Sequence, residues 1–218
     1  MSKILLVGAT GLVGQQVLQL LTMQNSANEL SIISRRSVDN LPIYLSQHVA
    51  EPSEWPRRIA AIAPDILINC LGTTIKIAGS NSAFAAVDLE LVNTIGRAAQ
   101  TAGAKHMITV SSVGANAYSA NFYLSTKGKA ELALRAIGFQ RLDIIQPGLL
   151  RGDRAERRQG ESLGIMLSPL TDAIMHGPLR RFRSIDSATV ARAIANLVSA
   201  GGAGTYIHEN EEITALAG

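Results

Sequence analysis

Short apolar runs alternate with segments of helical periodicity along most of this chain. The runs predict strands over about residues 3–8, 29–34, 48–49, 66–71, 106–112, 142–146 and 205–208. Between them, apolar positions recur every three or four residues and predict helices over about residues 11–23, 54–63 (capped by Ser53), 81–102, 123–137 and 185–200. Strands that alternate with helices through right-handed crossovers form a parallel sheet. The pattern therefore predicts an α/β fold with a doubly wound parallel sheet.

The same pattern indicates one domain over residues 1–218. A chain of 218 residues suits a single α/β domain with a large core, and no internal repeat or long linker divides it. After Gly148 the character changes, because residues 151–160 hold four arginines and little apolar material. We expect residues 149–218 to contribute a small C-terminal cap on the substrate side of this domain.

A glycine-rich loop joins the first predicted strand to the first predicted helix. Gly8 suits the tight turn out of the strand, Gly11 lets the backbone approach phosphates, and Gly14 lets the helix lie close to the sheet. The free N–H groups at the helix N-terminus are suited to hold those phosphates. The candidate cofactor-binding residues of the loop are Gly8, Thr10, Gly11, Leu12, Val13 and Gly14. Strand, glycine turn and helix together predict a Rossmann dinucleotide site; a turn that serves packing only is the alternative.

Two arginines follow the second predicted strand, where a Rossmann fold faces the adenosine ribose. An acidic residue at this point accepts a hydrogen bond from the ribose 2′-hydroxyl, whereas arginine pairs with a 2′-phosphate. The chain has Ser34, Arg35 and Arg36 there, and guanidinium groups bind phosphate through two parallel hydrogen bonds. Arg35 and Arg36 therefore favour NADP over NAD. The alternative is that both are solvated surface arginines.

Further cofactor-binding candidates lie at the carboxyl ends of later strands, where ligands bind in open α/β sheets. Leu71, Gly72 and Thr73 follow the fourth strand. Pro147 ends the sixth strand and is expected to pack near the nicotinamide. These positions extend the predicted site along one edge of the sheet.

A tyrosine and a lysine, Tyr123 and Lys127, lie four residues apart on one face of a predicted helix. Hydride addition to a carbonyl needs a proton donor at oxygen, and a nearby ammonium favours the phenolate form of a tyrosine. The same ammonium can hold the nicotinamide ribose, so Lys127 is also a cofactor-binding candidate. A third catalytic group is expected to bind the substrate carbonyl from the end of the fifth strand. Ser111 and Ser112 both lie there, and Lys129 lies off the shared face.

The order of these motifs resembles the short-chain dehydrogenase/reductase superfamily, and in particular its atypical members related to the human Tat-interacting protein. The resemblance rests on the G-x-x-G-x-x-G loop and the Tyr-x-x-x-Lys motif, and it extends over nearly the whole chain. Further matching segments are residues 68–74, 87–88, 111–115, 123–131, 151–154 and 158–161. The resemblance implies a Rossmann fold, NADP binding and oxidoreductase activity. It also favours Ser112 as the serine that binds the substrate carbonyl, with Ser111 as the fallback. Gln146 departs from the pattern, since arginine is expected before Pro147, and an anion contact near the nicotinamide is therefore open.

The composition of the chain limits the classes of ligand it is expected to bind and the cellular compartment it is expected to occupy. The formal charge of +3 is small for this length and suits an anionic small ligand rather than nucleic acid, and Arg180, Arg181 and Arg183 accompany no nucleic-acid-binding motif. The four histidines have no metal-ligand spacing, so no metal is expected. The single Cys70 cannot form an internal disulfide, which indicates a reducing, cytoplasmic location. The chain shows neither a signal-peptide pattern nor an apolar run of about 20 residues, so no membrane partner is expected.

These observations predict an NADP-dependent oxidoreductase that moves hydride between nicotinamide and a small carbonyl or alcohol substrate. A dinucleotide-binding regulator without turnover is the alternative, although a redox sensor has no use for a tuned phenol. A third option, epimerisation or dehydration, is disfavoured because a small cap leaves little room for a nucleotide-sugar. The arginines of residues 151–158 suit an anionic substrate or the cofactor phosphate, or equally a solvated loop. We expect a monomer or a homodimer.

Overall fold

Seven parallel strands form the central sheet. The computed structural model describes residues 2–24, 28–152 and 177–218. Within them the strands of the sheet are β1 (Lys3–Val7), β2 (Glu29–Ser34), β3 (Ser46–Val49), β4 (Ile66–Asn69), β5 (His106–Val110), β6 (Arg141–Ile145) and β9 (Gly204–His208). Their spatial order is β3-β2-β1-β4-β5-β6-β9, and every neighbouring pair is parallel. A separate parallel pair consists of β7 (Leu150–Arg151) and β8 (Ile185–Asp186). The predicted doubly wound sheet is confirmed, with its strand order reversing between β1 and β4, where ligands bind in such folds.

Helices cover both faces of the sheet. They are α1 (Leu12–Met23), α2 (Trp55–Ile62), α3 (Ile75–Ala78), α4 (Asn81–Ala85), α5 (Val92–Thr101), α6 (Phe122–Arg135), α7 (Ser187–Leu197) and α8 (Asn210–Leu216). Turns of 3₁₀-helix occupy Pro52–Glu54 and Gly177–Phe182, and one π-helical turn spans Ala86–Leu91. α1 and α7 pack together on one face, and α2 and α5 pack together on the other. The sheet, with the predicted site at the carboxyl ends of its strands, therefore lies between two layers of helices.

The central strands are buried because their runs are apolar on both faces. In β1, Leu5 joins the core on the α2–α5 side and Leu6 joins the core on the α1–α7 side, and neither is accessible to solvent. β4 repeats this arrangement with Leu67 and Ile68. Each fully buried leucine or isoleucine contributes roughly 1.5–3 kcal/mol relative to an exposed one. A short continuous apolar run therefore identifies a central parallel strand correctly.

The helix boundaries differ from the predicted ones at three places. The helix predicted over residues 81–102 is divided into α4, the π-helical turn and α5, because an inserted residue is invisible to a 3.6-residue period. The helix predicted over residues 185–200 begins only at Ser187, since β8 pairs with β7. α3 and α8 were not predicted, because four and seven residues are too few to show a period.

The segment after Gly148 contributes to the main body of the domain. α7 packs on α1, and β9 pairs with β6 at the edge of the sheet. Gln16 of α1 donates through Nε2 to the fully buried Ser187 Oγ at 2.7 Å, which fixes the start of α7. Residues 153–176 lie outside the described residues, so the small cap on the substrate side stays a prediction.

A buried charged cluster joins β5, β6 and β9. Asp143 has no exposed surface, and its carboxylate accepts from His106 Nε2 at 2.7 Å, His208 Nε2 at 2.7 Å and Arg141 Nε at 2.6 Å. The Arg141 guanidinium also lies over the Tyr206 ring, 4.3 Å from its centroid. Burial by itself raises the pKa of Asp143, but the hydrogen bonds from these three residues outweigh it and hold the pKa well below its usual value.

Asp143→Asn is expected to lower the free energy of unfolding by about 3 kcal/mol, because it leaves the buried Arg141 charge without its carboxylate. Urea unfolding at neutral pH measures the change. The control is Glu54→Gln, which removes a carboxylate from an exposed pair with Arg57 and is expected to cost below about 1 kcal/mol. Because the pKa of Asp143 is depressed in the fold, its contribution is complete above the unfolded value of 3.8 and is lost as the pH falls below it. Equal losses in the two variants would contradict this account.

Candidate active site

The glycine loop closes the space between β1 and α1. A side chain on Gly8 would place its Cβ 2.5 Å from the Cys70 carbonyl carbon, and φ at Gly8 is +84°. A Cβ on Gly14 would lie 2.1 Å from the Gly8 carbonyl oxygen. At Gly11 the nearest such atom, Gly8 O, would be 3.4 Å away, which is ordinary van der Waals contact. Packing therefore requires Gly8 and Gly14, whereas Gly11 leaves room that packing alone does not explain.

The N-terminus of α1 has backbone donors available to a ligand. Gly11 is the N-cap residue, and no side chain caps the helix there. The Gly11 N–H donates to Gly8 O at 3.0 Å and closes the turn. The amides of Leu12 and Val13 belong to the first turn, at the positive end of the helix dipole, and Thr10 beside them is exposed. The predicted loop residues are thus brought together around one helix end suited to an anion.

Arg35 and Arg36 lie directly after β2, next to the strand that leads into the glycine loop. Both side chains are exposed, and neither makes an ion pair within the part of the chain that the structure describes. Ser34 Oγ donates to the Arg36 carbonyl oxygen at 2.7 Å and turns the chain at the strand end. Two guanidinium groups are therefore available at the position where a Rossmann fold holds the adenosine ribose.

The end of β4 is tied to its neighbours by side chains of the strand itself. Asn69 donates through Nδ2 to Thr109 Oγ1 at 2.9 Å, and its Oδ1 accepts from the Leu71 N–H at 3.2 Å. These bonds hold the start of the 71–73 segment against β5. Burial raises the pKa of the Cys70 thiol to about 12, so this thiol stays protonated and has no role as a nucleophile.

An ion pair connects the 71–73 segment with α6. Lys127 Nζ lies 2.7 Å from Asp88 Oδ1, and Asp88 Oδ2 accepts from the Thr73 N–H at 3.0 Å. Both charged residues are buried, with 6% and 1% of their surfaces exposed. A Cβ on Gly72 would lie 3.8 Å from Lys127 Nζ. The pair thus places the ammonium beside Gly72, where the sequence predicts cofactor contacts.

Tyr123 lies one turn before Lys127 on α6. Its ring packs against the fully buried Phe84, with centroids 5.4 Å apart, and its side chain is partly exposed. Asn121 begins the helix, because its Oδ1 accepts from a first-turn N–H at 3.1 Å. Lys129 is exposed, whereas Lys127 is buried. The four-residue spacing therefore selects the lysine that belongs to the site.

The two serines after β5 have different surroundings. Ser111 is buried, and its Oγ donates to Glu131 Oε1 at 2.5 Å. Ser112 is partly exposed, and within the described chain its Oγ lies 3.4 Å from the Val113 carbonyl oxygen, a long contact. A hydroxyl already bound to a buried carboxylate is not available to a substrate carbonyl. The geometry therefore favours Ser112 over Ser111 as the carbonyl-binding serine.

Glu131 ends the family-like segment 123–131, but the sequence did not assign it a part in the site. It is buried one turn after Lys127, and its carboxylate accepts from Gln146 Nε2 at 2.8 Å as well as from Ser111. Burial raises the pKa of Glu131, and the hydrogen bonds from Ser111 and Gln146 offset part of that rise. The signal was the four-residue spacing from Lys127, which puts both on one helix face. Gln146 binds Glu131, which explains what the residue does in place of the expected arginine.

The loop after β5 is held against α6. Ser125 Oγ donates to the Ala117 carbonyl oxygen at 3.0 Å, and the Asn116 N–H donates to the Leu124 carbonyl oxygen at 3.1 Å. A Cβ on Gly128 would lie 2.2 Å from Ala117 N, so only glycine permits this approach. These contacts fix the loop that begins at Ser112 to the helix that carries Tyr123.

Pro147 connects the site with the C-terminal segment. Its carbonyl oxygen accepts from the Val113 N–H at 3.0 Å, and the residue is buried. The next residue, Gly148, donates its N–H to Asn210 Oδ1 at 2.9 Å, and Asn210 Nδ2 donates to the Arg183 carbonyl oxygen at 2.7 Å. Pro147 therefore lies beside the strand end that carries Ser112.

Some sequence-derived expectations fall outside the described chain or take another form. The arginines at 154, 157 and 158 lie outside the described residues. Arg180 and Arg181 lie 3.8 and 3.2 Å from the carboxylates of Glu211 and Glu209, which ties the Gly177–Phe182 turn to α8. Among the described residues, no grouping of histidine, cysteine and carboxylate is arranged to hold a metal ion. No helix there is both long and apolar enough to cross a bilayer.

A family profile matches the part of the chain that carries this site. The profile of the NAD dependent epimerase/dehydratase family matches residues 4–128, which include the glycine loop, Ser112, Tyr123 and Lys127. This chain belongs to that family. The resemblance to atypical short-chain dehydrogenases is thereby confirmed at the level of the family, which is one of NAD-dependent enzymes.

Curated relatives align with most of the length of this chain. Protein fmp52 of Aspergillus niger is 31% identical over 206 residues, which are 90% of this chain and 86% of that protein. Protein FMP52-1 of Scheffersomyces stipitis is 36% identical over 155 residues, 68% of this chain and 67% of that protein. Both are named mitochondrial proteins, and this finding overturns the cytoplasmic location expected from the sequence. That expectation was wrong because a single unpaired cysteine does not distinguish one reducing compartment from another.

Solved structures share the fold at low sequence identity. The Bordetella bronchiseptica enzyme WbmH, solved in complex with NAD+, matches with a TM-score of 0.71 and 14% identity over 96% of this chain and 76% of that chain. UDP-glucose 4-epimerase of Thermotoga maritima, solved with UDP-glucose, matches with a TM-score of 0.70 and 14% identity over 95% of this chain and 76% of that chain. These matches show the fold and agree with the seven-stranded sheet.

Proposed function

We propose that this protein is an NADP-dependent oxidoreductase that transfers hydride between nicotinamide and a small apolar carbonyl or alcohol compound. The observation that carries the proposal is the placement of the buried Lys127 ammonium beside Gly72, on the helix that presents Tyr123. The glycine loop and Ser112 lie at the same carboxyl edge of the sheet. WbmH, which shares the fold, was solved in complex with NAD+, which supports a nicotinamide dinucleotide as the ligand of this protein.

The residues present fit such a dinucleotide. Gly11 leaves room for a pyrophosphate where a side chain would otherwise stand, and the uncapped N-terminus of α1 offers N–H donors to it. Lys127 is placed to hold ribose hydroxyls beside the 71–73 segment. Arg35 and Arg36 suit a 2′-phosphate, which supports NADP rather than NAD. When bound, the dinucleotide supplies or accepts the hydride.

The chain's own side chains handle the proton. Ser112 Oγ donates a hydrogen bond to the substrate carbonyl oxygen, and the Tyr123 hydroxyl donates its proton to that oxygen in the direction of reduction. The Lys127 ammonium stabilises the phenolate that Tyr123 becomes. Asp88, 2.7 Å from the ammonium, keeps it in position. In the direction of oxidation the same phenolate removes the proton from the alcohol.

Exposed aromatic side chains on the loop after β5, on α6 and on the Gly177–Phe182 turn bear on the class of substrate. Tyr118 in the loop after β5 is 92% exposed, and Phe122 is 39% exposed. Phe182 is also 39% exposed, and its ring lies 3.4 Å from where a Cβ on Gly114 would be. Small-molecule sites are lined mainly by apolar and aromatic side chains. We infer an apolar carbonyl compound rather than a nucleotide-sugar, whose phosphates and hydroxyls require polar partners.

The double variant Arg35→Ala/Arg36→Ala is expected to weaken NADPH binding by roughly tenfold to a hundredfold, because it removes charge-assisted hydrogen bonds to the 2′-phosphate. NADH lacks that phosphate, and its Kd is expected to change by less than about twofold. Fluorescence titration with both dinucleotides measures the two constants. Arg57→Ala is the control, since that side chain is 77% exposed on α2. Equal weakening of NADPH and NADH would show that the arginines do not read the phosphate.

A panel of apolar aldehydes and ketones tests the proposed activity. Purified protein is mixed with NADPH and each carbonyl, and the loss of NADPH absorbance is compared with the appearance of the alcohol. Matching loss and appearance for at least one compound supports the oxidoreductase. The regulator without turnover predicts NADPH binding with no consumption on any carbonyl. An epimerase predicts conversion of a nucleotide-sugar with no net change in NADPH.

A further inference from the structure

A cavity of about 270 Å³ lies at the amino ends of the sheet strands, whereas the glycine loop lies at their carboxyl ends. Lys3, Glu29 and Ser46, the first residues of β1, β2 and β3, line it from the amino ends of the strands. Arg58 of α2 lines it from the helical layer. Because all strands of the sheet are parallel, this cavity lies at their amino ends and the proposed dinucleotide site lies at their carboxyl ends.

The sheet face under α2 is polar at this corner. Strand register pairs Leu5 with Ser31 and Ile33 with His48, so these four side chains point to the same face. Leu5 and Ile33 are fully buried in the core on the α2–α5 side, but Ser31 and His48 line the cavity. Two polar side chains thus stand where apolar ones would have closed the corner.

Arg58 enters the cavity region without a partner. Its Nε is buried and has no hydrogen-bond acceptor among the described residues. The neighbouring Arg57 is different, since it is exposed and pairs with Glu54. Buried N–H groups ordinarily donate a hydrogen bond to an acceptor. The Arg58 guanidinium is therefore available to a ligand that carries acceptor oxygens.

The residues that line the cavity carry more positive than negative charge, and the Asp65 carboxylate, which accepts from the Lys3 N–H at 2.8 Å, lies beside them. Lys3 and Arg58 carry two fixed positive charges against the single carboxylate of Glu29, and none of the three makes an ion pair within residues 2–24, 28–152 and 177–218. Burial, and next the Arg58 charge, lower the pKa of His48, which agrees with an uncompensated cation beside it. Ser31 and Ser46 add hydroxyl groups to the lining, which also includes Ala61 and Ile62.

We propose that this corner is a binding site for a small phosphate-bearing anion, held by Arg58 and Lys3 with the hydroxyls of Ser31 and Ser46. A guanidinium fork matches phosphate oxygens and supplies two parallel hydrogen bonds. The inference is independent of the dinucleotide site, because it rests on residues at the other edge of the sheet. It assigns the protein a second ligand site.

Titration of the full chain with inorganic phosphate, followed residue by residue in ¹H–¹⁵N NMR spectra, tests the proposal. Saturable shifts are expected at the amides of Ser31, Ser46 and Arg58, separate from any shifts at the glycine loop. Sodium chloride at matched ionic strength is expected to produce no saturable shift at these three amides. Failure of phosphate to shift them, or equal shifts with chloride, would overturn the proposal.

Two neighbouring arginines give a matched pair of variants. Arg58→Gln is expected to weaken phosphate binding at the Ser46 amide at least about tenfold, whereas Arg57→Gln is expected to leave it unchanged. Identical titrations of these variants would contradict the proposal. If Arg58→Gln does not fold, the proposal is tested with Lys3→Gln, which changes an exposed residue at the start of β1. It is expected to weaken binding at least about threefold, and an unchanged affinity would overturn the assignment.

Discussion

Tyr123→Phe is expected to lower kcat by about 10³-fold, because it removes the only hydroxyl assigned to protonate the substrate oxygen. The phenyl ring keeps its contact with Phe84, so the Kd of NADPH is expected to stay within about twofold. Steady-state kinetics with a carbonyl from the aldehyde and ketone panel measures kcat, and fluorescence titration measures the Kd. Loss of turnover with retained cofactor binding is the signature of a proton donor.

The control for the tyrosine variant is Tyr206→Phe on β9. That hydroxyl donates to the Ala203 carbonyl oxygen at 3.1 Å, at the edge of the sheet and away from α6. Its removal is expected to leave kcat within about twofold of the native value. If Tyr123→Phe kept native kcat, the assignment of Tyr123 as acid and base would be wrong.

Gly11→Ala is expected to weaken NADPH binding at least about tenfold and to change the free energy of unfolding by no more than about 1 kcal/mol. A Cβ at this position meets no atom of the described residues closer than 3.4 Å, so their packing accepts it. The same methyl group stands where the backbone must approach the pyrophosphate. Titration with NADPH and urea unfolding give the two quantities.

Two other glycines separate binding from packing. Gly14→Ala places its Cβ 2.1 Å from Gly8 O, and it is expected to lose about 1–3 kcal/mol of stability together with NADPH binding. Gly201→Ala brings its Cβ within 4 Å of no heavy atom in the part of the chain that the structure describes, and it is expected to change neither property. If Gly11→Ala bound NADPH as tightly as the native protein, the loop would serve packing only.

The order of strands and helices could be predicted because each central element carries its own signal. β4 is a run of apolar residues that only a strand buried on both faces explains, and α5 shows its stripe at helical spacing. The pattern does not predict β7 and β8, because each strand has only two residues and a two-residue strand shows no periodicity. Nor does it predict the π-helical turn at Ala86–Leu91, which brings Asp88 to Lys127.

Within the candidate site, the sequence could place residues along the chain but could not show which of them are already paired. Ser111 and Ser112 are indistinguishable by type and differ by one position. The structure separates them, because the buried Glu131 binds Ser111 at 2.5 Å. The expectation for Gln146 was open for the same reason, since its partner lies on another element and depends on tertiary packing. The roles of Ser112, Tyr123 and Lys127 in catalysis stay predictions.

We propose that the carboxyl ends of the sheet strands hold a nicotinamide dinucleotide with a 2′-phosphate. Titration of the purified full chain with NADPH and, separately, with NADH decides this point, through the change in fluorescence of the bound nicotinamide. We expect saturable binding of one NADPH per chain, with a Kd at least about tenfold lower than that of NADH. Absence of saturable binding of either dinucleotide up to millimolar concentration would overturn the proposal.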